Sequence, residues 1–163
     1  MRQGPIDATS WGMSTQLTHT AFDHPDGVQH TAYLLHGILG SQQNWRALAR
    51  RLVQQLPGWR VVTVDHRNHG DAPALPGPHT VAACATDLAK LAHHLGTHPT
   101  VICGHSFGGK VALAYAREHG AHLAQVWVLD ASPAPIAHTL ADDHEVGRVM
   151  RALAQIPQPL SRR

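Results

Sequence analysis

The most constraining stretch of this chain is Gly104-His105-Ser106-Phe107-Gly108, set between the apolar run Val101-Ile102-Cys103 and a helical segment that begins at Phe107. A serine on a tight strand-to-helix turn is forced out of the sheet surface. A Cβ two residues before or after it would collide with the neighbouring helix and strand, so both places call for small residues. Gly104 and Gly108 meet that demand. The helix start behind the serine favours developing negative charge. The pattern reads as a nucleophile elbow with Ser106 as the nucleophile, on a strand of a parallel sheet.

The remaining periodicity agrees with that architecture. A weak strand near residues 16–22 and a stronger one at 31–35 flank the turn Asp23-His24-Pro25-Asp26-Gly27. Ser41 is placed to cap a helix over 42–56, where Trp45, Leu48, Leu52, Val53 and Leu56 recur at helical spacing and Pro57-Gly58 stops it. A β-branched strand at 60–65 leads into a long His-, Gly- and Pro-rich loop through His79. Val81, Cys84, Leu88, Leu91 and Leu95 mark a second amphipathic helix that ends at Gly96. A strand at 100–104, a helix at 107–119 ended by Gly120, and a fourth buried strand at 125–130 complete the pattern. Strands alternating with helices predict a mostly parallel sheet with helices on both faces. The segment 144–160 has Val146, Val149, Met150 and Leu153 at helical spacing and is expected to start a cap. The expected organisation is an N-terminal segment over 1–28, a core over 29–135 and a cap start over 136–163.

Composition removes several function classes. With 163 residues and 43% hydrophobic content the chain suits one globular domain. The formal charge is only +2, and its basic residues are scattered except for Arg162-Arg163, which leaves no electrostatic footprint for nucleic acid or an anionic membrane. Two cysteines, Cys84 and Cys103, form neither a disulfide framework nor a C-x-x-C pair, and a reduced, cytoplasmic setting is expected. The N-terminus lacks an uninterrupted apolar stretch, and no run approaches the ~18 apolar residues of a membrane span.

A second motif lies at the end of an earlier strand, in Tyr33-Leu34-Leu35-His36-Gly37-Ile38-Leu39-Gly40-Ser41. Acyl transfer needs two backbone N–H groups for the oxyanion, one from the residue after the nucleophile and one from the loop after this strand. Phe107 and Ile38 fit those positions. In Asp65-His66-Arg67-Asn68-His69-Gly70, Asp65 ends a strand, Asn68 and Gly70 shape a turn, and Arg67 is available to a loop carboxylate. His66 and His69 lack a third ligand at metal-binding spacing, so no metal site is assigned. Cys103 reads as inert packing beside the elbow.

The segments LLHGILGSQQNW, VDHRNHGDAP, VICGHSFGGKVALAYA and VWVLDASPAP, in this order and spacing, resemble the α/β-hydrolase superfamily and look most like its small bacterial esterase and acyl-hydrolase branch. The resemblance runs from about His30 to Pro135. It implies a serine hydrolase that cleaves small-molecule carboxylic esters or thioesters without metal or organic cofactor. It carries Ser106 onto the family nucleophile, Ile38 and Phe107 onto the oxyanion donors, and Asp130, in Leu129-Asp130-Ala131-Ser132-Pro133, onto the acid of the catalytic triad. A carboxylate at the C-terminal end of a parallel strand faces the crevice where ligands bind. Ser106 in the elbow disfavours the epoxide-hydrolase and dehalogenase variants, which use an aspartate there.

In the family the triad histidine follows the acid, on a loop after the last strand. Past Asp130 the histidines are His138 and His144, both where the family begins its cap. The expectation is therefore a truncated hydrolase whose base is missing. The alternative is a non-catalytic remnant or interaction module, with a homo-oligomer or a complementing chain meeting the open sheet edge at Val126-Trp127-Val128-Leu129.

Overall fold

The computed structural model describes residues 16–132 and, past them, Arg148, Ala152 and Gln155. The cap segment at 144–160 otherwise falls outside the described residues, as do His138, His144 and the first 15 residues of the N-terminal segment. The chain divides into two units, Met1–Pro133 and Ala134–Arg163, and the elements below belong to the first.

Five strands, β1 (His19–Asp23), β2 (His30–Leu35), β3 (Trp59–Val64), β4 (Val101–His105) and β5 (Gln125–Leu129), form one sheet in the order β1-β3-β2-β4-β5. β1 runs antiparallel to β3, and the other pairs are parallel. Three helices connect them: α1 (Arg46–Gln55), α2 (Val81–His94) and α3 (Phe107–His119).

Side chains alternate across a strand, so β2 feeds two cores. Tyr33 and Leu35 pack with Val62, Val64 and Ile102 under Cys84, Leu88 and Leu91 of α2 and Val111 and Tyr115 of α3. Ala32 and Leu34 face the other way and pack with Val61 against Ala49 and Val53 of α1. Helices therefore cover both faces, as the alternating pattern requires.

From β2 the chain first steps to β3 on one side, then crosses back to β4 on the other. The switch point lies between β2 and β4, the place where an open α/β sheet binds ligands beyond the carboxyl ends of its strands. The loop after β2 and the turn after β4 both arrive there.

Three expectations need correction. The helix expected over 42–56 opens as a 3-10 turn, Gln42–Trp45, before α1, and Asn44 Oδ1 accepts the Ser41 N–H at 2.8 Å. Leu48 and Leu56 stay exposed while Ala49 and Val53 are buried, because the packed face of α1 is turned by one residue from the leucine spacing. β5 is not a buried strand: its residues alternate between exposed and half-buried, with Trp127 53% exposed, because no strand pairs its outer edge among the described residues.

The third correction concerns Arg67, whose partner is the helical carboxylate Asp87 on α2 rather than one on a loop. Arg67 Nε donates to Asp87 Oδ2 at 2.7 Å and Nη2 to Oδ1 at 2.8 Å, while Nη1 reaches the Pro78 carbonyl at 2.6 Å. This bidentate fork pins the loop after β3 onto the helical layer. The paired carboxylate raises the Arg67 pKa further, so the guanidinium stays charged.

Candidate active site

Ser106 sits between β4 and α3 with φ 50 and ψ −113, a region that costs a non-glycine residue on the order of 1–3 kcal/mol. The surroundings enforce it. Ser106 N–H donates to Leu129 O at 2.9 Å, and Ser106 O accepts from Gly109 N–H at 3.0 Å. A Cβ at Gly104 would lie 2.1 Å from Gly108 O, and one at Gly108 would lie 2.6 Å from both Leu35 O and His36 O. The first turn of α3 is thus pressed against the end of β2, and only glycine allows so close a backbone approach.

That contact sets the start of α3 beside the end of β2, so the segments carrying the two expected oxyanion donors are neighbours. Phe107 is the first residue of α3, and Ile38 lies in the turn that follows β2. The turn is closed by Gly40 N–H to Gly37 O at 3.0 Å, with Leu39 at φ 66. Beside it opens a crevice of about 390 Å³, lined by the Gly37–Gly40 turn together with His36, Asn44, Trp45 and His105. Ser106 is not among the lining residues, although its neighbour His105 is.

Asp130 follows β5 directly, and the β4–β5 register pairs His105 with Leu129, which sets Asp130 level with Ser106. Both residues turn out of their strands with positive φ, 52 and 50. The Asp130 side chain is 90% exposed, and its Oδ2 lies 3.6 Å from His105 Nε2. The histidine facing this carboxylate is therefore the one immediately before Ser106, a pairing the sequence reading missed. Among the described residues no histidine follows Asp130.

Asp65, wholly buried at the end of β3, accepts the Gln42 N–H at 2.6 Å and the Asp71 N–H at 3.1 Å. It ties the segment entering α1 to the loop after β3. His66 and His69 spend their donors on main-chain carbonyls: His66 Nε2 on His36 O at 3.1 Å and His69 Nδ1 on Arg67 O at 2.9 Å. Burial raises the Cys84 thiol to about 11 and moves Cys103 in the same direction, so neither thiol is primed as a nucleophile.

Burial holds His66 at about 3, and burial likewise lowers His36. The unfolded chain takes up a proton on each imidazole as pH falls through about 6.5, while the folded state refuses it until lower pH. The stability these neutral rings confer is thus complete above pH 6.5 and is lost between there and about pH 3 for His66, by at most roughly 1.4 kcal/mol per pH unit. Urea denaturation at pH 7 and pH 5 is expected to show that loss in the wild type and a shallower one in His66→Met.

Residues 33–162 match the family described as alpha/beta hydrolase fold, and the chain belongs to that family. Among its relatives, the sn-1-specific diacylglycerol lipase ABHD11 of Mus musculus is 43% identical over 108 residues, covering 66% of this chain and 34% of the relative. The protein of the same name from Danio rerio is 34% identical over 161 residues, covering 96% and 49%. A solved thermophilic esterase from Thermogutta terrifontis superimposes with a TM-score of 0.66 at 32% identity, over 76% of this chain and 43% of that one. The chain thus spans half or less of the length of these relatives.

Proposed function

We propose that this chain is a serine hydrolase acting on carboxylic esters or thioesters, with Ser106 as its nucleophile. The observation that carries the reading is the strained elbow itself: Ser106 at φ 50, at the switch point of the sheet, against the turn that bears Ile38. A serine held at that cost, next to a residue that lines a crevice, fits a reacting group better than a structural turn. Ser106 Oγ attacks the acyl carbon while a base takes its proton. The N–H groups of Ile38 and Phe107 hold the oxyanion, and the leaving alkoxide or thiolate departs with the proton. Water then releases the acid from the acyl-enzyme by the same steps. Asp130 is the carboxylate that orients the base. Similarity to diacylglycerol lipases makes a glyceride ester the substrate class to try first. Two free cysteines suit a reducing compartment such as the cytoplasm.

The second reading, a non-catalytic module that binds a second copy or a complementing chain along β5, is favoured by the exposed Trp127 and by Asp130 facing His105. Hydrolysis of p-nitrophenyl butyrate, with free imidazole supplied as an external base, separates the two. The hydrolase reading expects saturable hydrolysis above that of imidazole alone. A rate equal to imidazole alone overturns it in favour of the binding module.

A further inference from the structure

The ends of β2 and β3 carry two histidines, both 1% exposed, whose hydrogen bonds fix each other's tautomer. His36 Nδ1 lies 2.7 Å from Gly37 O, and a carbonyl only accepts, so Nδ1 bears the hydrogen. The His66 backbone N–H points at His36 Nε2 from 3.2 Å, so that nitrogen offers its lone pair. His66 Nε2 lies 3.1 Å from His36 O and therefore bears its own hydrogen, leaving His66 Nδ1 as a buried lone pair without a protein partner. Both rings are neutral in this arrangement, and neither tautomer can change without breaking a bond.

The consequence falls on the next peptide. Gly37 O accepts from His36 Nδ1 and from Gly40 N–H at once. The Gly37 carbonyl and the Ile38 N–H belong to one planar trans peptide and point in opposite directions. Holding the carbonyl on two donors therefore aims the Ile38 N–H. His66 anchors the preceding carbonyl, that of His36, and its ring also meets the Phe107 ring edge-on at 5.3 Å. One imidazole thus touches the segments that bear both oxyanion donors.

We propose that His66 is a positioning residue that holds the Ile38 N–H on its aim through the His36 carbonyl, with its Nε2–H as the operative group. The proposal rests on the reading of Ile38 as an oxyanion donor. It adds a residue from the loop after β3 that touches no reacting atom.

His66→Gln and His66→Met are the test pair, because their side chains match in length and only glutamine carries an N–H near the Nε2 position. With imidazole-supported p-nitrophenyl butyrate hydrolysis as readout, Met is expected to lower kcat about tenfold at unchanged KM, a fraction of the ~10²–10³ that follows loss of a whole donor. Gln is expected to recover kcat to within about threefold of the wild type. Equal kcat in the two variants overturns the proposal.

Two further measurements need no turnover, so failure of the hydrolase reading is told apart from failure of this one. Imidazole 15N shifts of the wild-type chain are expected to show hydrogen on His66 Nε2 and on His36 Nδ1, and a bare His66 Nε2 overturns the proposal even if neither variant folds. Exchange of the Gly40 amide is expected to accelerate at least tenfold in Met and not in Gln, and an unchanged rate in Met also overturns it.

Discussion

Ser106→Ala is expected to remove at least about 100-fold of the imidazole-supported ester hydrolysis, and the size of the loss reports where the base comes from. Residues that act as one catalytic unit are not additive: once the base is gone, losing the nucleophile costs little more, and with all three present it costs on the order of 10⁶. Asp130 faces His105, and no histidine follows it among the described residues. A base delivered by diffusion, lacking the large effective concentration of a positioned group, puts the effect at the low end of that span. A loss near 10⁶ that does not depend on imidazole would instead mean that the chain positions its own base. Equal rates for wild type and Ser106→Ala would remove Ser106 from the chemistry altogether.

Gly104→Ala is expected to destabilise the fold by about 4 kcal/mol or more, a size kept for overpacking with no room to relax. The added Cβ would lie 2.1 Å from Gly108 O, 2.2 Å from Gly108 C and 2.5 Å from Gly109 N. These are backbone atoms in the first turn of α3, and moving them carries Phe107 along. Gly120→Ala is the control. Gly120 has φ −77 and a Cβ there would find its nearest neighbour at 3.8 Å, so a change within about 1 kcal/mol is expected, most of it from the unfolded chain. Urea midpoints of the two variants measure the contrast, and similar midpoints would mean that the elbow is looser than its contacts indicate.

The elbow was legible because its demands are local. Gly104, Ser106 and Gly108 occupy fixed steps around one turn, and α3 begins and ends where its periodicity and Gly120 place it. The two-sided core was legible from the alternation of Ala32, Tyr33, Leu34 and Leu35. What escaped were pairings between segments distant in sequence. Asp87 stands among Cys84, Leu88 and Leu91 on the buried face of α2, and a carboxylate on an apolar face signals a buried cation, yet nothing local points to Arg67, 20 residues away. The reciprocal bonds of His36 and His66 depend on β2 and β3 being neighbours, which the order of elements along the chain does not reveal. Nothing local to the elbow points from His105 to Asp130, because their approach follows from the register of β4 with β5. Strand and helix ends shifted by one to four residues because the last hydrogen bond of an element is set by its partner.

Labelling with an alkyl fluorophosphonate, followed by digestion and mass mapping, tests the central claim most directly, because the reagent phosphonylates a serine only when it is activated. With imidazole present, the adduct is expected on the peptide containing Ser106 and is expected to vanish in Ser106→Ala. No adduct on Ser106, or equal modification of Ser41 and Ser132, would contradict the assignment of this elbow as the reacting centre.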